Sequence, residues 1–177
     1  SVDVAKTPLP MRANRDVTYP VHTECSMDYF YRVPEDSRKY IASLNKDGYG
    51  LIQTSTRRLK GRKLFVWGQR PGGHTWQHFL TDKAGDYSEI QAGLAHTQYE
   101  CLPMPPCSAW EWVEAYGAMS AEPTKVHGDW REARREVEQR LDERLPAAVL
   151  EDYLVRSRND YVLKKGEVIQ KGSGFGA

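Results

Sequence analysis

The stretch "KDGYGLIQTSTRRLKGRKLFVWG", residues 46–68, decides the fold class. Asp47-Gly48 is a dipeptide suited to a tight turn, and the residues after it predict a strand over Tyr49–Thr54. Gly61 marks a second turn, followed by a predicted strand Lys63–Trp67. Leu64 and Val66 face one way and Phe65 and Trp67 the other, so that strand reads as buried on both faces. Working outward, "MDYFYRV" (27–33) is aromatic-rich and β-like, and Pro34 stops it. "PEDSRKYIASL" (34–44) predicts a short helical turn, and "QRPGG" a loop. "HTWQHFL" (74–80), "YSEIQAGL" (87–94) and "AWEWVEAY" (109–116) read as strands, the last by strict alternation. "AHTQYECLPMPPCS" is a long Pro-rich connection. Residues 1–26 read as an extended lead-in with a short strand near Val17–Val21. Short strands separated by Gly and Pro turns predict antiparallel β layers, a β-sandwich or part of one, over 27–120.

After Gly117 the character changes. "AEPTKVHG" (121–128) is a linker. In "DWREARREVEQRLDERL" Trp130, Ala133, Val137, Leu141 and Leu145 recur every three or four residues, and Asp129 with Glu132 resembles a capping box. Pro146 ends that helix, and a second is predicted over 147–158 with Leu150 and Leu154 inward. The chain is expected to be mainly β, an antiparallel sandwich followed by a C-terminal α-helical hairpin over 129–177, ending in a Gly-rich tail.

Composition limits the function classes. The net charge is +1, so no global field draws the chain to nucleic acid or to a membrane surface. No apolar run approaches the length of a membrane span. Cys25, Cys101 and Cys107 are odd in number and irregularly spaced, which suits reduced thiols in the cytoplasm better than a disulfide framework or a zinc site. Five tryptophans must either pack or bind something. The chain begins at Ser1 rather than Met and reads as a piece of a longer protein.

Three constellations carry candidate chemistry. Tyr87, Glu89 and Gln91 share one face of a strand, and Trp110, Trp112, Glu114 and Tyr116 share a face of another. Carbohydrate sites combine aromatic platforms for the apolar faces of sugar rings with carboxylates and amides for the hydroxyls. On the pattern alone, core indoles at Trp110 and Trp112 and a solvated or structurally hydrogen-bonded Glu89 are favoured over such a site. In "HTWQH", His74, Trp76 and His78 share a face of a strand, and His74 and His78 share one on a helix. The helical zinc-protease pattern needs a glutamate after the first histidine, where Thr75 stands, so the wall of a cleft is favoured over a metal site. The run "RRLKGRK" (57–63) either meets phosphate or is a solvated turn between strands, and the near-neutral chain favours the turn.

The strings "GRKLFVWG", "EIQAGL", a Pro-rich loop and "W-x-W-x-E-x-Y", over about residues 27–120, resemble an uncharacterised bacterial domain family that precedes tetratricopeptide repeats and is related to galactose mutarotase (aldose 1-epimerase). "HGDW" and "GSGFGA" are similar to the segment that leads into those repeats. The resemblance implies the later half of a mutarotase-like supersandwich plus the following helices. It implies Glu89 as the base that takes the proton of an anomeric hydroxyl so that the ring opens, and Trp67, His74, Trp76, Gln91 and Gln98 as sugar-binding residues. The histidine that protonates the ring oxygen in those enzymes belongs to an earlier part of their fold; His22, His74, His78 and His96 match it by type only. No metal and no cofactor is expected. The expected partner is a mono- or oligosaccharide, with a protein partner through the helical segment, and neither nucleic acid nor membrane. The alternative is a non-catalytic interaction module leading into helical repeats.

Overall fold

In the computed structural model, which describes residues 2–3 and 10–176, the Asp47-Gly48 turn closes as its sequence dictates. Asn45 accepts the amides of Asp47 and Tyr49 on its side chain, and Gly48 takes a φ of +73°. The elements in chain order are β1 (Val2–Asp3), β2 (Met11–Arg12), β3 (Arg15–Asp16), β4 (Met27–Arg32), β5 (Tyr40–Leu44), β6 (Tyr49–Ser55), β7 (Gly61–Val66), α1 (Pro71–Leu80), β8 (Ser88–Gly93), β9 (Glu114–Ser120), α2 (Pro123–Val126), α3 (Trp130–Arg144) and α4 (Ala147–Ser157).

Two sheets organise them. One has the order β1-β4-β7-β8, with β1 parallel to β4 and the other pairings antiparallel; the second is β5-β6-β9, wholly antiparallel. A small hairpin joins β2 to β3. Tyr29, Leu64 and Val66 on the inner face of the first sheet bury Val17, with Tyr31, Ile41 and Ile90 packed against them. On the second sheet Ile52 and Met119 meet Val137 and Leu141 of α3, with Tyr40, Ala42 and Leu44 beside them. The three-stranded sheet therefore touches the first sheet through Ile41 and α3 through the opposite face of the same strand. Each fully buried aliphatic side chain here contributes about 1.5–3 kcal/mol. Asp129 caps α3 by accepting the amides of Arg131 and Glu132, and Leu150 anchors α4.

The sheets and the C-terminal helices match the sequence reading in outline, but the chain mixes helix and antiparallel sheet rather than being mainly β with a trailing hairpin. Residues 74–80 are not a strand; they belong to α1. Pro71 is suited to the first helical position, and Gly73 packs so closely on Trp67 and Gly68 that a Cβ would lie 2.2 Å from the Gly68 carbonyl oxygen. Residues 34–44 are not a helical turn. The Lys39 ammonium, buried, donates to the carbonyls of Pro34, Glu35 and Ser37, which curls 34–39 and frees Tyr40–Leu44 to pair with β6. The strand expected at 109–116 begins only at Glu114 and runs on to Ser120. Near Val17–Val21 there is a 3-10 turn, Pro20–His22, instead of a strand; part of the lead-in, 4–9 and residue 1, lies outside the described residues. The linker region holds α2.

Candidate functional site on the outer face of the first sheet

Strand alternation and register put two rows of side chains on the outer face of the first sheet. Asp28, Phe65 and Glu89 are direct cross-strand neighbours, and so are Phe30, Lys63 and Gln91. Their strand neighbours Tyr29, Leu64 and Ile90 point inward to the core, so the period of two leaves this face for the polar and aromatic set.

The polar groups form a continuous chain. Gln91 donates to Glu89 Oε2 at 3.2 Å, Gln98 donates to Gln91 Oε1 at 2.9 Å, and the Lys63 ammonium donates to Gln98 Oε1 at 2.9 Å. Lys63 also pairs with Asp28 Oδ1 at 2.8 Å. Its ammonium lies 5.8 Å from the centre of the Phe30 ring and 5.5 Å from that of Phe65, within cation–π range of both. The loop after β8 brings Gln98 to this chain and sets Tyr99 edge-on against Phe30. Phe30, Lys63, Gln91, His96, Thr97 and Gln98 help to line a shallow hollow of about 210 Å³. That is below the ~300 Å³ lower end of drug-sized sites and suits a single small ring. Among the described residues, the buried Nδ1 of His96 has no hydrogen-bond partner.

An aromatic ladder continues from Phe65. Its ring meets Trp67 edge-on at 4.8 Å, Trp67 stacks on Trp76 at 5.0 Å, and Trp76 meets Phe79 edge-on at 5.9 Å. Trp76 is 47% exposed and Phe79 78% exposed, so the ladder ends as an open apolar platform.

Of the residues singled out in the sequence, Glu89, Gln91 and Gln98 come together in one hydrogen-bonded chain, and Trp67 and Trp76 stack beside it. His74 is exposed on α1, and the helix turns it about 200° from Trp76, so the two do not share a wall. Trp110, Trp112, Glu114 and Tyr116 do not belong to this site. β9 pairs with β6 in the second sheet, where Gln53, Trp112 and Tyr116 all donate to the Glu114 carboxylate. The basic run 57–63 is a solvated turn only at its start, where Arg57 and Arg58 are exposed between β6 and β7. Arg62 and Lys63 are buried, Lys60 pairs with Glu35 at 2.8 Å, and Arg58 lies over Trp110. Sequence reasoning missed Asp28, Phe30, Lys63 and Phe65. Asp28 and Phe30 share a face by simple alternation within "MDYFYRV", but joining them to Glu89 requires the strand order.

The chain belongs to a family described as a domain of unknown function (DUF5107), whose model matches residues 16–104, half of the chain. That span contains Asp28, Lys63, Glu89, Gln91 and Gln98. No curated protein and no solved structure matches the chain. No helix among the described residues is long and apolar enough to cross a membrane.

Proposed function

We propose that the outer face of the β4-β7-β8 sheet binds a mono- or oligosaccharide, in a domain built as part of a mutarotase-like sandwich. The observation that carries this reading is the hydrogen-bonded chain Glu89–Gln91–Gln98–Lys63, closed by the Lys63–Asp28 ion pair and laid over Phe30 and Phe65. Sugar hydroxyls both donate and accept, and this chain offers carboxylate acceptors, amides of both kinds and a cation within one small area. The ring C–H faces of a pyranose would pack on the Phe65–Trp67–Trp76 ladder. Two ring-sized requirements, polar edge and apolar face, are thus met side by side.

In this reading Glu89 takes the proton of the anomeric hydroxyl, and His96 is the imidazole that returns a proton to the ring oxygen, opening the pyranose. Asp28 supplies a second carboxylate two strands away, across Phe65. Strand spacing sets those two backbones roughly 9–10 Å apart, which also leaves room for a glycoside between them. Three exposed, unpaired cysteines suit a reducing compartment such as the cytoplasm.

The test is a panel of aldoses and short glycans titrated by calorimetry, with anomer exchange followed by NMR. Binding to the wild type, weakened at least about tenfold in Gln91→Ala, is expected. Glu89→Gln is expected to keep binding and lose anomer exchange. A chain that binds no member of the panel removes the saccharide reading.

A non-catalytic module is the competing reading, and one observation favours it. Tyr153 and Val155 of α4, and Tyr161, Val162 and Leu163 just beyond it, are all exposed, which suits a protein contact through the helical segment. Binding of sugar without anomer exchange in the wild type would favour that module.

A further inference from the structure

The inner side of the molecule holds a second and larger cavity, of about 480 Å³, lined by all five residues of β5. Its walls include Tyr31, Leu64 and Ile90 of the first sheet and Ala133 and Val137 of α3. β5 is an edge strand, and among the described residues no strand pairs with its outer side.

The register fixes what that edge presents. Ser55 donates its amide to the Lys39 carbonyl, and Asn45 donates to the carbonyl of Tyr49. Hydrogen-bonded pairs in an antiparallel ladder alternate, so Ile41 and Ser43 exchange their bonds with β6. The amides and carbonyls of Tyr40, Ala42 and Leu44 therefore point away from β6, toward the cavity side. They form an alternating row of donors and acceptors at strand spacing, and such a row is completed by another extended backbone.

The side chains around this cavity add a charge requirement. Arg62 is 1% exposed and lines it; Arg38 stands just before β5 and lines it too. Among the described residues, Nε of Arg62 and Nε of Arg38 are buried without a hydrogen-bond partner. The remaining nitrogens are partly used: Arg62 donates to the Leu59 and Gly61 carbonyls and to Ser55 Oγ, and Arg38 donates to the Leu145 carbonyl and lies 3.7 Å from Asp142. The carboxylates of the lining are already engaged. Asp16 accepts from Thr18, Asp129 caps α3, and Glu138 pairs with Arg134 and accepts from Tyr40. The unmet capacity on the side-chain walls is thus donor-only.

We propose that this cavity is a strand-addition site for an extended peptide that carries a carboxylate and small apolar side chains. The backbone of the peptide pairs with the outer edge of β5. Its apolar side chains pack on Leu64, Ile90 and Val137, and its carboxylate meets the guanidinium groups of Arg38 and Arg62. This site lies inside the sandwich and does not depend on the saccharide face.

The full chain is tested against a fluorescently labelled, end-capped hexapeptide of alternating valine and threonine with one central glutamate. The controls are the same peptide with glutamine in place of glutamate, and the same peptide N-methylated at alternate amides. Ala42→Pro removes one outward amide and leaves the β5–β6 ladder bonds in place, because proline is tolerated at an edge. Binding of the glutamate peptide is expected, weakened about tenfold by glutamine, by Arg38→Met and by Ala42→Pro, and abolished by N-methylation. Hydrogen exchange at Tyr40, Ala42 and Leu44 is expected to be fast in the free chain and slowed on binding. The proposal is overturned by absence of binding, by equal binding of the N-methylated peptide, or by protection of those amides in the free chain. Protection would mean that this chain or a second copy already covers the edge. Should Ala42→Pro fail to fold, the N-methylated peptide carries the backbone test alone.

Discussion

The indole rings of Trp67 and Trp76 stack with centroids 5.0 Å apart and planes 14° from parallel. One ring lies just past the end of β7 and the other is five residues into α1, so the stack ties helix to sheet. Gly73 allows this by bringing the helix backbone onto the carbonyls of Trp67 and Gly68. Trp76→Ala removes the stack and opens the platform. It is expected to cost about 1 kcal/mol and lower the melting temperature by roughly 2–4 °C. Calorimetric scans check the first effect. Quenching of tryptophan fluorescence by a bound sugar, present in the wild type and diminished in the variant, checks the second.

Lys63 is the hub of the outer face, and its side chain is only 11% exposed. Lys63→Met removes the partner of a carboxylate that is itself two-thirds buried, Asp28, and unhooks Gln98. The expected cost is about 1–3 kcal/mol in urea unfolding, with saccharide affinity lowered about tenfold. Gln98→Ala, on an exposed loop, is expected to leave stability within about 0.5 kcal/mol while still weakening the sugar. Equal stability losses in both variants would show that the chain of hydrogen bonds is a structural brace and not a binding surface.

Local patterns in the sequence carried the strands around Gly48 and Gly61, the "EIQ" strand and the capped helix at Asp129, because turn glycines, alternation and capping act within a few residues. The helix at Pro71 was legible in principle, since proline at a first helical position is a start signal, but "HTWQHFL" also fits a strand pattern. What decides is the close approach of Gly73 to Trp67, a tertiary fact. The grouping of Trp112 and Glu114 with Glu89 as one candidate constellation has the same origin. Strand order depends on long-range pairing, and nothing near Glu114 says that β9 joins β6 rather than β8. Lys63 and Arg62 were hidden for a related reason: a basic run ordinarily stays in water, and only the sheet buries two of its members, Arg62 on the inner face and Lys63 on the outer.

Gly48 gives a test of the turn on which the second sheet depends. Its φ of +73° disfavours any side chain, and a Cβ would lie 2.2 Å from the carbonyl oxygen of Ala121, which follows β9. Gly48→Ala is expected to destabilise the fold by more than about 2 kcal/mol, because strain and clash act together. Gly85→Ala is the control. Gly85 also has a positive φ, +89°, but nothing lies within 4 Å, so only the strain of about 1–2 kcal/mol is expected. Chemical denaturation of both variants separates the two costs, and equal losses would rule out the close contact with Ala121.

Glu136 is nearly fully buried on α3, with its side chain 2% exposed. It takes hydrogen bonds from Lys125 at 2.8 Å, from Arg140 Nε at 2.8 Å and from the Glu122 amide at 3.2 Å. The Lys125 hydrogen bond foremost, with that of Arg140, holds its carboxyl far down, at about 2 instead of 4.5. The sign follows from linkage. The unfolded chain binds the proton near pH 4.5 and the folded chain only near 2, so the stabilisation is complete above about 4.5 and is lost as the pH falls toward about 2. Lys125 and Arg140 are about half exposed, so solvent screening trims the contribution to about 1–2 kcal/mol. Glu136→Gln is therefore expected to be less stable than the wild type by that amount at pH 7, with the gap narrowing steadily from pH 4.5 downward. Urea titrations at half-unit steps from pH 7 to 2.5 check it. A gap that stays constant across the acid range would mean that Glu136 packs α3 without its charge mattering. A gap that closes only there places the junction of β9, α2 and α3 under the control of one carboxylate.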